Sequence, residues 1–196
     1  MSNDIALRER ILAESTRLFV SAGYNGISMR EIAEAVGVSK AGLYYHFKDK
    51  EDLFVAILRH GLARIAQTVA EAQTQPGGIR AQLDALVRGL FAQPSEQRTL
   101  IQLAGQELAH LSPDVRTEFS QSYYQQFIGQ IRALLEQAMA GGELRPQDPQ
   151  TLTWLLLGMM YPFFSSEVQR DPQVNEQIIS QLLALFFSGA AGETAE

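Results

Sequence analysis

The sequence predicts an all-α fold: a three-helix N-terminal unit with a helix-turn-helix, followed by a larger helical domain. Three observations predict it. Apolar residues recur at spacings of three and four nearly everywhere, as one buried face of a helix requires. Hardly any stretch alternates apolar and polar residues as a half-buried strand does. Glycines, prolines and Ser or Asp caps cut the 196 residues into helix-length pieces.

Taken in order, Leu7, Ile11, Leu12, Leu18, Phe19 and Ala22 share one face of a first helix that ends at Gly23. Ser28 caps a second helix, with Glu31 three residues later closing a capping box. That helix stops near Gly37, and Ser39 caps a third that runs to about Phe47. Ala33 is small where the pair crosses, and Gly37 supplies positive φ in the turn. Ile32, Val36, Val38, Leu43 and Phe47 supply the locking faces of a helix-turn-helix. Asp49 opens a long helix reaching toward Gln73, ended by Pro76-Gly77-Gly78. Further helices are expected at about 79–92, 95–111, 113–140, 149–168 and 172–189. The expected division is residues 1–48, the helix-turn-helix domain, and 49–196, the connecting helix and the ligand-binding and dimerisation domain.

Composition narrows the function. With no cysteine, a disulfide framework, a thiolate metal site and a cysteine nucleophile are excluded, and a reducing cytoplasm fits. The start, Met1-Ser2-Asn3-Asp4, has no basic and apolar run of a secretory signal, so a cytoplasmic location is expected. The most apolar stretch, Leu152–Phe164, falls short of the roughly 20 residues of a membrane span, so no membrane partner is expected. No phosphate-cradling glycine loop, G-x-S-x-G or H-E-x-x-H occurs, and histidines 46, 60 and 110 lack metal-ligand spacing. Neither an enzyme, a metal nor a cofactor is therefore expected.

The net charge of −6 argues against nucleic acid until its distribution is considered. Residues 1–60 hold eight basic and eight acidic residues, whereas 61–196 hold eight and fourteen, so the excess lies in the second part. All lysines sit at 40, 48 and 50, around the third helix. Once its apolar face is assigned to the core, that helix presents Lys40, Ala41, Gly42, Tyr44, Tyr45 and His46. Small residues let its N-terminus approach a groove, and the free N–H groups at Ser39 and Lys40 suit a phosphate.

The run Val38-Ser39-Lys40-Ala41-Gly42-Leu43-Tyr44-Tyr45-His46-Phe47-Lys48-Asp49-Lys50-Glu51-Asp52-Leu53 resembles the recognition-helix signature of the TetR family. The likeness extends back through Ser28-Met29-Arg30-Glu31-Ile32-Ala33, Gly23-Tyr24, Phe19 and Ile11-Leu12-Ala13, covering about residues 8–55. It implies a homodimeric regulator that binds double-stranded operator DNA through its first fifty residues and a small molecule through the remainder. It also implies that Ser28 and Arg30 meet the DNA backbone, that Lys40, Ala41, Tyr45 and His46 face the groove, and that Tyr44 and Lys50 meet phosphates. Lys48 flanks the far end. Gly42 departs from the pattern, since many members carry a small hydroxyl residue there.

For the second domain, helices near 149–168 and 172–189 carry apolar residues on more than one face: Leu152, Leu155, Leu156, Met159, Met160 and Phe163, then Val174, Ile178, Leu182, Leu185 and Phe186. A two-fold four-helix interface would cover them. Pro162 is expected to kink or end the first of these helices. Phe91, Leu103, Tyr123, Tyr124, Phe127, Trp154 and Tyr161 are candidates to line an apolar cavity, with Gln106, Glu107 and His110 as polar orienting groups. That lining favours a lipophilic, aromatic or acyl-chain effector. Its binding would release the operator through a shift of the helix from about 49 to 73, provided that it prefers the non-binding state.

Overall fold

The computed structural model describes residues 2–99, 107–164 and 172–190, with no side-chain detail at 2, 3, 172, 173 and 190. The helices are α1 (Ser2–Ala22), α2 (Met29–Val36), α3 (Lys40–His46), α4 (Lys50–Gln73), α5 (Gly78–Phe91), α6 (Pro113–Tyr123), α7 (Gly129–Ala140), α8 (Pro149–Met160) and α9 (Pro172–Ala190). Short 3-10 turns lie at Leu108–His110 and Tyr161–Phe163, and no β-strand occurs among the described residues. The expected all-α class is what the chain adopts.

Two compact units emerge, and neither is continuous in sequence. One comprises Met1–Gly61 with Thr99–Ser120; the other comprises Leu62–Arg98 with Gln121–Glu196. In the first, Ile11, Leu12 and Phe19 of α1 bury with Ile32, Ala33 and Val36 of α2, Leu43 of α3, Phe47, and Leu53, Phe54, Ile57 and Leu58 of α4. Phe19 and Phe54 pack tilted, their ring centres 5.0 Å apart. Burial of such side chains contributes on the order of 1.5–3 kcal/mol each, and the cluster fixes how α2 and α3 are presented.

In the second unit, the second half of α4 meets α5 closely. A Cβ on Gly89 would lie 2.5 Å from Thr68 Cγ2, so a larger residue would push the crossing apart. The same crossing is tied by Arg64 Nε donating to Gln93 Oε1 (3.2 Å) and Gln93 Nε2 donating to Thr68 Oγ1 (3.1 Å). α7 and α9 pack on α5, and α8 packs on α7 and α9, with Leu83, Leu86, Leu90, Ile131, Leu135 and Leu156 as fully buried layers. Arg88 grips Glu176 of α9 with two nitrogens and Asp84 with its Nε (2.7 Å). By length and composition α4 is apolar enough to cross a membrane, and 56% of that stretch is buried within the fold.

Two helices differ from the periodicity reading. The single helix expected over 113–140 is broken by a π-turn at Tyr124–Ile128. Such a turn inserts one residue without breaking the apolar face, so apolar spacing alone does not reveal it. The helix expected over 149–168 ends as an α-helix at Met160, and a 3-10 turn crosses Pro162. Proline has no N–H for the carbonyl of Gly158 and its ring crowds that turn; residues 165–168 lie outside the described residues.

Candidate nucleic-acid interface

The α2–α3 pair is built by its caps. Ser28 Oγ accepts from Glu31 N (3.3 Å), while the Ser28 N–H donates to Glu31 Oε2 (2.8 Å), so two otherwise orphaned N–H groups of α2 are satisfied reciprocally. Ser28 Oγ also donates to Glu31 Oε2 (2.6 Å), and this bond, followed by that of the Ser28 N–H, holds the Glu31 carboxyl below the usual carboxylate range. α2 ends at Gly37 in the left-handed region, φ 76°, with Val38 N donating to Ala33 O at 3.0 Å. A side chain at that φ is strained, so the turn needs glycine. α3 then opens under Ser39, whose Oγ accepts from Gly42 N at 3.0 Å. Leu43 and Phe47 point inward, while Tyr44 and Tyr45 between them are exposed.

Ser28, Arg30, Ser39, Lys40, Ala41, Tyr44, Tyr45 and Lys48 all lie exposed on this unit, with Tyr45 79% accessible. Gly42 sits on the same helix, and a Cβ there would come 3.2 Å from Ser39 Oγ. Its lack of a side chain therefore spares the cap as well as space. Lys40 Nζ lies 5.7 Å from the Tyr44 ring centre, over its face, so the first turn of α3 presents a cation and an aromatic ring together. Arg30 pairs with Glu34 (2.8 Å) in full solvent exposure, a bond that a phosphate can replace at little cost.

Two expected contacts are placed elsewhere. The His46 side chain is only 8% accessible and turns back toward α1, with Nε2 3.5 Å from Asp4 Oδ1. There it shares a polar cleft of about 360 Å³ with Arg8, Asp52, Arg59 and His60. Periodicity put His46 on the outer face because α3 is only two turns long, and the N-terminal turns of α1 that cover its end carry no signal of that docking. Lys50 is half-buried, its Nζ 4.6 Å above the Tyr24 ring. Burial pushes its ammonium below the ordinary value, with Glu107 and Glu31 opposing that shift.

Glu107 and His110, expected among effector-binding groups, belong to this same unit instead. Glu107 Oε2 accepts from Tyr24 N (3.3 Å), and the His110 ring stacks on Tyr24 at 5.9 Å. Asn25 Nδ2 also reaches His110 Nδ1 (3.3 Å). Spacing along 107–110 gave no hint of this, because the partner loop at Tyr24 is more than eighty residues away in sequence.

The other effector candidates divide. Phe91, Tyr123, Phe127 and Tyr161 gather in one aromatic cluster of the second unit, joined by Phe164, which periodicity had not singled out. Ring centres are 5.5 Å apart for Phe91–Phe164 and Tyr123–Phe127 and 5.9 Å for Tyr161–Phe164. The hydroxyls of Tyr123 and Tyr161 meet at 3.2 Å, and burial pushes both above the ordinary phenol value. Trp154 and Tyr124 do not join: Trp154 is 48% accessible on the outside of α8, and Tyr124 is an exposed donor to Gln150 Oε1 (2.9 Å). Two residues from both Leu152 and Leu156, at about 100° per residue, Trp154 falls on the opposite side of α8 from them. Leu103 and Gln106 lie outside the described residues.

On α8 and α9, Leu155, Val174 and Leu185 are exposed, and Met159, Phe163, Ile178, Gln181, Leu182 and Leu185 line a largely apolar groove of about 300 Å³. Leu152, Leu156, Leu157, Met160, Ile179, Leu182, Leu183, Phe186 and Phe187 bury on the inner side. Both helices thus carry two apolar faces, and the described residues cover only one of them.

Comparison with known proteins agrees with this arrangement. Residues 11–57 match the model described as bacterial regulatory proteins, tetR family, and residues 76–163 match a tetracyclin repressor-like C-terminal domain. The HTH-type transcriptional repressor AcnR of Corynebacterium efficiens is 29% identical over 163 residues, covering 82% of this chain and 81% of AcnR. The crystal structure of AibR in complex with isovaleryl coenzyme A and operator DNA superposes with a TM-score of 0.78 at 25% identity, covering 91% of this chain and 97% of AibR. The ketosteroid regulator KstR2 of Mycobacterium tuberculosis shares the fold, with a TM-score of 0.79 at 22% identity over 95% of each chain. An N-terminal helix-turn-helix with intact caps, a helical second domain, and family matches that together span most of the sequence make this chain a member of the TetR family, whose proteins are DNA-binding transcriptional regulators rather than enzymes.

Proposed function

We propose that the chain is a homodimeric repressor released from its operator by a small, largely apolar effector. In this reading residues 1–48 read DNA and residues 49–196 dimerise and bind the effector, in a cytoplasmic protein that needs no cofactor. The observation that carries the DNA-binding part is the free face of α3: Lys40, Ala41, Tyr44 and Tyr45 exposed on a helix whose N-terminus is ordered by Ser39. Exposed aromatics beside a lysine on a two-turn helix suit groove and phosphate contacts. Arg30, Ser28 and Lys48 supply backbone contacts around it.

The unpartnered face of α8 and α9 supports a two-fold dimer. A dimer presents two recognition helices to half-sites about 34–36 Å apart or a multiple of that. The repressing sign is carried from AcnR, and the acyl character of the effector from AibR, onto an aromatic cluster that is apolar apart from two phenols. The test is a gel-shift titration against the DNA upstream of the chain's own gene, at two salt concentrations, with random DNA as competitor. A discrete complex that survives the competitor and weakens with salt is expected. Binding erased by competitor would sink the reading.

A further inference from the structure

Among the described residues, one buried cation of the second unit forms no ion pair. Arg98 follows α5 and exposes only 6% of its surface. Its Nη1 donates to the carbonyls of Phe91 (2.6 Å) and Gln93 (2.8 Å), so the negative end of α5 holds the guanidinium from one side. Its Nε–H is buried and unpartnered. Among the described residues it forms no ion pair, while Arg88 a few turns earlier engages two carboxylates. Glu96, the acidic neighbour that acts on it through space, does not offset burial, which leaves the group below its ordinary value.

A buried guanidinium is costly unless its charge and its N–H groups are met. Capping two carbonyls needs one nitrogen, and Arg98 spends only Nη1 on them. The edge that contains Nε is the one that grips a carboxylate or phosphate with two parallel bonds. Phe91, whose carbonyl Arg98 holds, carries its ring into the cluster with Phe164 and Tyr161. The buried cation and the apolar cluster are therefore joined through one residue.

We propose that Arg98 anchors an oxyanion on the effector, so that the effector is an apolar chain or ring bearing a carboxylate or phosphate rather than a neutral lipophile. This rests on the effector-binding role proposed above for the second domain. Release of labelled operator from the full-length protein, followed by anisotropy, tests it with octanoate, octanamide, coenzyme A and isovaleryl coenzyme A as probes. An anionic probe is expected to act at a concentration about tenfold or more below octanamide, the range of one bond to a charged group. Activity of octanoate assigns a carboxylate; activity confined to the coenzyme A pair assigns a phosphate. In Arg98→Gln the ratio of anionic to neutral potency should fall to near one, and in Arg98→Lys, which keeps the charge and loses the fork, to an intermediate value. Because the readout is a ratio within each variant, a general loss of stability does not mimic it. Equal potency of octanoate and octanamide in the parent protein, or an unchanged ratio in Arg98→Gln, overturns the anchor and leaves the effector reading standing. If no probe releases operator or raises the melting temperature, the effector reading falls and the anchor falls with it.

Discussion

The outer face of α3 and the outer faces of α8 and α9 are both left open, yet they are made of opposite chemistry. On α3, Lys40, Ala41, Tyr44 and Tyr45 combine a cation, a small residue and amphipathic rings. On α8 and α9, Leu155 and Leu185 stand 57% and 67% exposed, and the groove at Leu185 is apolar apart from Gln181. Water tolerates the first surface. The second loses free energy in proportion to its apolar area until something covers it. The lesson is that one face suits a hydrated, charged partner that comes and goes, and the other a permanent apolar one.

The comparison breaks most visibly if the apolar face is charged. The double change Leu155→Asp and Leu185→Asp is expected to give a folded monomer in sedimentation and to weaken operator binding by on the order of 10²–10⁴, the effective-concentration advantage of a second linked module. A variant that stays dimeric with full affinity would remove α8 and α9 from the interface. Next in size is Gly37→Val. A β-branched residue at φ 76° costs roughly 1–3 kcal/mol, which should appear as a lower melting temperature and a lost operator complex.

Smaller, and sharper, is the contrast between Lys40→Ala and His46→Ala. Lys40→Ala should leave stability within about 0.5 kcal/mol and reduce the slope of log affinity against log salt by about one. His46→Ala should lower the melting temperature without changing that slope, because its ring packs toward Asp4 in the cleft rather than facing outward. The reverse pattern would return His46 to the DNA face.

The smallest effect lies in the acid limb of the stability profile. The folded state depresses the Glu31 carboxyl through Ser28, and likewise Asp148 through Thr151. A depressed carboxylate contributes stability that is present above its unfolded value, about 4.3 for Glu and 3.9 for Asp, and that is lost as pH falls through the lower folded value. Ser28→Ala should therefore flatten acid unfolding below about pH 4.3 for the first unit only. Equal flattening of both units would show that the two caps are not independent.

Local chemistry made much of this protein legible. Ser28, Gly37 and Ser39 act within three or four residues of themselves, so the helix-turn-helix could be written from sequence, and the outward positions of Lys40, Ala41, Tyr44 and Tyr45 followed from the spacing of Leu43 and Phe47. Long-range partners were not legible. Glu107 and His110 carry no mark of docking beside Tyr24, and the spacing of α8 puts Trp154 opposite Leu156 without deciding which of the two sides is buried. Arg98 reads as an ordinary basic residue until its burial is known.

What the sequence alone determined is the set of helices, their caps and the helix-turn-helix, because hydrogen bonds over three or four residues and the 3.6-residue period are properties of the local chain. Only the tertiary structure decided which aromatics gather, that His46 turns inward and Lys50 is half-buried, and that one guanidinium is buried with no ion pair among the described residues. Those outcomes depend on residues brought together from distant parts of the chain, where burial sets the cost of every unpaired polar group.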